Sequence, residues 1–296
     1  LIGVDRFDQM QTKSNYMKEY GKIMVRNVNN AVDSDVLYNA VNATSTLDDS
    51  SIGNGTAGVP LALNGTNIFD ALARAKQYQF DNSFENTDMF CAIDSKTFQL
   101  FESNGIGRET MYGDQLWKDG FTGRAFQYNG IDFYETANHT RSIRLDLATA
   151  PTDGDTVTLT VGGVAVVFTF KGTLGTTAGN VLIGTADESR ANLVALINAP
   201  GTTTANGVAL SFTNQTVLLN VLATNDNTAN TATIFSKGKS LVGTETLTNA
   251  TDAFNATYNA KRLLFGRKSQ SVSMGIQITP SVTFRDEPKQ ERTNVL

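Results

Sequence analysis

The sequence predicts an α+β chain whose host part, of mixed helix and strand, is interrupted by a β-rich module. Three observations carry that expectation: a helical period over residues 5–41, two glycine-centred hairpin signals, and a composition that changes near residue 142 and changes back near residue 254.

In the first region Phe7, Met10, Met17, Tyr20, Met24, Val28, Ala31, Val36 and Ala40 recur at steps of three and four, with Lys13, Lys18, Glu19, Lys22 and Arg26 between them. That spacing predicts a long amphipathic helix with a bend or break allowed at Gly21, its Met-rich stripe turned to a core. The polar, Gly-rich stretch NATSTLDDSSIGNGTAG reads as a loop. NIFDALARAKQYQF follows as a helix capped by Thr66 or Asn67, with Ile68, Leu72, Ala75 and Tyr78 on one face. Met89 to Ile93 reads as a buried strand, and a short helix or turn begins near Asp94. In GFTGRAFQYNGIDFYETANHT the Asn129-Gly130 pair predicts a tight hairpin, because both residue types tolerate positive φ.

From about Ser142 to Phe254 charge becomes scarce while Thr, Gly, Val and Asn dominate. DTVTLTVGGVAVVFTF predicts a second hairpin around Gly162-Gly163. ADESRANLVALINA reads as a helix begun by Thr185 or Asp187, with Leu193, Leu196 and Ile197 inward and Pro200-Gly201 at its end. GVALSFTNQTVLLNVLA and TATIFSKGKSLV read as further strands, completing a body of a size that folds alone. From Asn255 the earlier character returns, with strands through Val272, Met274, Ile276 and Ile278 and strand ends at Pro280 and Pro288. The two edges, Asn138-His139-Thr140 and Asn255-Ala256-Thr257, read as the stems of a domain spliced into a surface loop.

A chain of 296 residues buries a core without covalent staples, and its single cysteine, Cys91, lies in an apolar run that reads as a buried small hydrophobe. A net charge of -5 without long blocks of one sign argues against a protein that lives by gripping phosphate backbones. The first residues lack both an initiator Met and a signal-peptide pattern, so the chain reads as starting inside a longer polypeptide, and no apolar run suggests a membrane span.

The search for chemistry returns no catalytic, cofactor-binding or metal-ligating set, and the chain is expected not to be an enzyme. His139 is the only histidine and reads as an exposed linker residue. Gly238-Lys239-Ser240 lacks the glycine that a phosphate loop needs at the position of Thr233, and the Gly-rich residues 104–109 lack a dinucleotide fingerprint. Asp153-Gly154-Asp155 reads as a turn rather than a Ca²⁺ loop.

The order of the host pieces is more specific than any motif. The helix DRFDQMQTKSNYMKEYGKIMVRNVNNAVDSDVLYNAV, the helix NIFDALARAKQYQF, the strand MFCAIDSKTFQLF, then GFTGRAFQYNGIDFYETANH and finally AKRLLFGRKSQSVSMGIQITPSVTFRDE together resemble tailed-bacteriophage major capsid proteins of the Hong Kong ninety-seven fold. The resemblance implies a peripheral domain with the spine helix in residues 1–45, an axial domain in 46–140, an inserted β-rich domain with one helix in 141–256, and a return to the peripheral domain in 257–296. The family's N-terminal arm, extended loop and closing strand have no counterpart here, so the chain resembles an incomplete coat protein whose last strand lacks its downstream partner.

By the same resemblance the chain is expected to self-assemble into pentamers and hexamers of an icosahedral shell around double-stranded DNA. It would be assembled in the host cytoplasm and located in the virion, with scaffolding, portal and decoration proteins as further partners and no cofactor. Arg108, Trp117 and Arg124 are the candidate contacts between subunits, since Arg and aromatic side chains carry much interface energy, with core filling the competing role of Trp117. The alternative is a surface or fibre protein with a glycan-binding β-domain, which leaves the helical and α/β flanks unexplained.

Overall fold

A computed structural model describes residues 2–5, 16–42, 46–53, 55–81, 87–103, 125–128, 130–267, 284–287 and 292–295. The fold is mixed α+β with several sheets. Two compact units divide the chain, Leu1–Val36 with Ser273–Leu296, and Leu37–Val272.

In the first unit, β1 (Ile2–Asp5), β15 (Phe284–Glu287) and β16 (Arg292–Val295) form an antiparallel sheet in the order β1-β16-β15. Asp5, expected to open the long helix, is therefore a strand residue opposite Arg292. The last strand, expected to lack a partner, is the central one, flanked on both sides. Helix α1 (Tyr16–Tyr38) runs unbroken through Gly21. Its stripe does not reach a core at Tyr20 and Val28, each 44% exposed.

The second unit holds two separate cores. The first lies around a four-stranded sheet of β2 (Met89–Ile93), β3 (Ala125–Tyr128), β4 (Ile131–Glu135) and β14 (Leu264–Arg267), in the order β14-β2-β4-β3. Alternation along β2 explains how both faces are covered. Met89, Cys91 and Ile93 point to α2 (Ile68–Asp81) and α3 (Ser95–Phe101), joining Ile68, Leu72, Phe98, Phe101, Ile131 and Phe133. Phe90 and Ala92 point the other way, to Leu37 and Leu264. The Phe101 and Phe133 rings meet edge to face at 5.0 Å. Cys91 is buried here, which pushes its thiol up to about 12.

Tyr128 stands opposite Ile131 across a two-residue connection with Gly130 at φ +75, as the Asn129-Gly130 pair predicts. The capping of α2 differs from either expected form, since the Asn67 amide turns back to the Asn64 N–H and the Ala62 carbonyl. Leu264–Arg267, grouped by the sequence with the C-terminal peripheral part, pairs antiparallel with β2 because buried Leu264 serves this core.

The second core belongs to the module. A five-stranded sheet comprises β5 (Arg141–Asp146), β9 (Val221–Asp226), β10 (Thr231–Ser236), β12 (Ala253–Phe254) and β13 (Ala260–Lys261). A four-stranded sheet comprises β6 (Thr156–Val161), β7 (Val164–Lys171), β8 (Asn180–Leu182) and β11 (Leu241–Thr246). Leu145, Ile234 and Ala223 from one sheet and Leu159, Val166 and Phe168 from the other share a single apolar cluster with Leu193 and Ile197 of α4 (Ala186–Asn198). Gly162 and Gly163, at φ +59 and +88, make the β6–β7 turn.

Thr185 settles the start of α4 with a reciprocal cap: its hydroxyl accepts from the Glu188 N–H while the Glu188 carboxylate accepts from the Thr185 N–H. Phe212–Leu218, expected as strand, is a short helix, α5, because the Ser211 hydroxyl caps the Asn214 N–H. The edge of β9 is closed by Asn198, whose side-chain amide both donates to and accepts from the backbone of Ala223.

A charged side chain is buried within the module. Arg190 is fully buried, and its guanidinium donates to Asn225 Oδ1 at 2.6 Å, the Leu147 carbonyl at 2.6 Å, Asp187 at 2.5 Å and Asn227 Oδ1 at 3.1 Å. It ties α4 to the end of β5 and the β9–β10 turn. Arg190→Ala strands those acceptors and is expected to destabilise the module by about 3–5 kcal/mol in urea unfolding. Gly163→Val, forced to positive φ, is expected to cost about 1–2 kcal/mol in the same measurement.

Candidate functional site

The module leaves the host through β5 and returns through β13, and these two stems are antiparallel neighbours, Arg141 opposite Lys261 and Ser142 opposite Ala260. The chain then runs directly into β14 of the host sheet. This joint gathers His139, Thr140, Ser142 and Ser236, all buried, beside Asp94, and it is the candidate functional site.

Strand alternation again sets what faces what. Ile143 and Leu145 of β5 enter the module core, so Ser142 and Arg144 lie on the opposite face, as does Phe235 of β10, paired with Ser142. Three cation–aromatic contacts occupy that side. Lys237 Nζ sits 4.8 Å from the ring centre of Tyr38, Arg262 Cζ 5.4 Å from that of Phe235, and Arg144 Cζ 3.3 Å from that of Tyr258. Tyr38 ends α1 and is a host residue, so the first contact crosses from module to host. Burial pushes the Tyr38 hydroxyl up, partly offset by Lys237 and Arg262. Arg144 also grips Asp146 with two nitrogens, at 2.6 and 3.2 Å, and Asn255 on the returning segment donates to the same carboxylate at 2.9 Å.

At the host end Asp94 caps α3, accepting from the Thr97 N–H at 3.0 Å and the Thr97 hydroxyl at 2.6 Å. Lys261 of the second stem reaches the other carboxylate oxygen at 2.6 Å. Burial pushes the Asp94 carboxyl up, but the Lys261 and Thr97 hydrogen bonds and the Lys261 charge outweigh it and hold it at about 2. Beside this link Ser95 donates a short hydrogen bond to Glu135 at the end of β4.

His139, expected as an exposed linker residue, is 1% exposed. The stems are clamped between two cores rather than looped into water, which is why the linker reading fails. Burial lowers the tendency of its ring to take a proton, while the nearby Ile93 and Arg262 carbonyls and the Asp94 charge act the other way and Lys261 again lowers it. Neither ring nitrogen meets those carbonyls in hydrogen-bond geometry. The adjacent Thr140 hydroxyl and the Ser236 hydroxyl are likewise buried without a hydrogen-bond partner.

Away from the joint, a concavity of about 290 Å³ is lined by residues including Pro151, Asp155, Asn249 and Asp252. Its acids are structural. Both oxygens of Asp252 accept from the Ala148 and Thr149 N–H groups, and both of Asp155 are held by Thr152 and Thr248. Asp153 and Asp155 flank a turn with Gly154 at φ +98. Among the described residues no three His, Cys, Asp or Glu side chains group as metal ligands, and no helix is long and apolar enough to cross a membrane. Arg108, Trp117 and Arg124, the contacts proposed from sequence, lie outside the described residues, as do residues 104–109 and the expected strands through Val272, Met274, Ile276 and Ile278.

The joint itself was hidden from sequence reasoning, because Asp94 and Lys261 are 167 positions apart and no local pattern connects them. No protein-family model matches this chain, and no curated protein sequence matches it.

The Asp94 link gives a signed pH prediction. Its folded value lies below the 3.8 of a free aspartate, so its stabilisation is full above about pH 4 and is lost as pH falls toward 2. Urea titrations over that range are expected to show a loss of up to about 2 kcal/mol that is absent in Asp94→Asn.

Proposed function

We propose that this chain is a major capsid protein of the tailed-phage Hong Kong ninety-seven fold, carrying residues 141–256 as an added domain. The observation that carries the reading is the sheet β14-β2-β4-β3. Its strands come from both sides of the module, so residues 89–135 and 264–267 share one sheet and the module is a guest on it. A body that keeps its own fold while displaying a guest domain suits a shell subunit, whose host surfaces must repeat by symmetry.

The exposed apolar stripe of α1 adds support. Tyr20, with Ile23 three positions on and Val28 eight positions on, marks a broad apolar side of the helix, and the three are 44%, 52% and 44% exposed in a single chain. Contacts between copies are the natural cover for such a stripe, and many weak contacts add up to a stable shell. In this reading the partners are copies of the chain in pentamers and hexamers, then scaffolding, portal and decoration proteins. The packaged DNA is held without sequence preference, inside a virion assembled in the bacterial cytoplasm.

A second reading, a surface or fibre protein that holds glycans on its β module, draws on one face of the four-stranded sheet. There Thr156, Thr158, Thr160, Thr169, Thr244 and Thr246 align in cross-strand register with Val167 and Val242 and carry no charge.

Negative-stain microscopy with sedimentation of the purified protein separates the readings. Rings or shells are expected; a single-copy mass at every concentration, or a fixed trimer that binds glycans, overturns the capsid proposal. Val28→Glu, at an exposed helical site, is expected to change stability by no more than about 0.5 kcal/mol while abolishing rings and shells.

A further inference from the structure

We propose that His139 makes the attachment of the 141–256 module sensitive to acid: uptake of one proton by its buried ring loosens the joint while both apolar cores stay folded. The inference rests on the geometry of the joint and stands whether or not the chain builds a shell.

The ring lies two positions before the first stem, 1% exposed and, among the described residues, without a hydrogen-bond partner for either nitrogen. A neutral imidazole is tolerated in such a place, whereas an imidazolium there requires a counter-charge or water. Among the described residues the charges that act on the ring are Asp94, which precedes α3, and Lys261, on the second stem. The nearest charged residues along the chain are Glu135, which ends β4, and Arg141, which opens β5. Asp94 is the carboxylate that acts on the ring, and it is already committed to Lys261 and to Thr97. Glu135 is engaged by Ser95. Lys261 carries the same sign as the new charge and opposes it.

A protonated His139 therefore has two outcomes. It draws Asp94 away from Lys261, or it leaves for water and pulls the first stem with it. Both release the contact between the host helix cap and the returning strand. Neither touches the module cluster around Leu145, Leu159 and Phe168 or the host cluster around Cys91, Ile93 and Phe133.

The sign follows from the direction of the shift. Burial holds the folded value below the ordinary 6.5, so the joint is fully stabilised above about pH 6.5 and weakens as pH falls below it. Because His139 is the only histidine, its ring gives one resonance in the intact protein with labelled histidine. That resonance is expected to titrate with a midpoint below 6.5.

Hydrogen exchange on the same protein, corrected for the intrinsic pH dependence, reads the consequence. Between about pH 7.5 and pH 5, protection of the Arg262 amide, which donates to Thr140, and of the β5–β13 amides is expected to fall about tenfold or more, with β6 and β7 unchanged. His139→Gln is expected to remove that pH dependence. The proposal is overturned if the ring titrates at or above 6.5, if the stems keep their protection through the titration, if all regions lose protection together, or if a folded His139→Gln variant shows the same fall. Should His139→Gln not fold, the ring titration and the regional exchange of the unaltered protein decide alone.

Discussion

The antiparallel pairing of Arg141–Ser142 with Ala260–Lys261 is the constraint on which the rest of this structure depends. It brings together two points of the chain separated by more than a hundred residues, and it does so at the edge of a host sheet. Once they are adjacent, the length of the inserted segment costs the host little, since closure entropy grows only slowly with loop length. The host then needs no residue of the module to complete its own sheet. Leu264–Arg267 takes up its place beside β2 as though the chain had made a short turn.

Pairing two short stems fixes position but not orientation, and the polar groups of the joint supply the second. Arg144 reaches Asp146 and the Tyr258 ring, Asn255 reaches Asp146, and Lys237 lies against Tyr38 of the host helix. These contacts are directional, unlike apolar burial, so they specify one arrangement of module on host. The Asp94–Lys261 pair acts in the same sense, with Asp94 buried and the exposed Lys261 reaching it from the second stem. Removing the lysine leaves a buried carboxylate without its counter-charge, which is unfavourable. A joint built this way holds firmly and is open to control through charge.

Local chemistry made many elements legible from sequence. The Gly162-Gly163 and Asn129-Gly130 turns, the strand Met89–Ile93, the helix beginning at Asp94 and the helix beginning at Thr185, one of its two expected starts, each depend on residues a few positions apart. The errors arose where distant contacts decide. Residues 212–218 carry a β-rich composition, but the Ser211 cap turns them into a helix. His139 looks like a linker residue until the two cores close around it. Nothing local marks Arg190 as buried, because Asn225, Asn227 and Leu147, which hold it, lie more than thirty positions away. The stripe of α1 shows the opposite error, since its apolar period was read as core and Tyr20 and Val28 face outward.

The most direct test of the two-core account replaces residues 143–259 with Asn-Gly, so that Ser142 and Ala260 become the flanks of a two-residue hairpin in the register they already hold. Thermal unfolding of the shortened chain, followed by circular dichroism, is the measurement. The account predicts a cooperative transition with the α/β body intact. Loss of any cooperative transition would show that the host cannot fold without its guest, and would contradict the account.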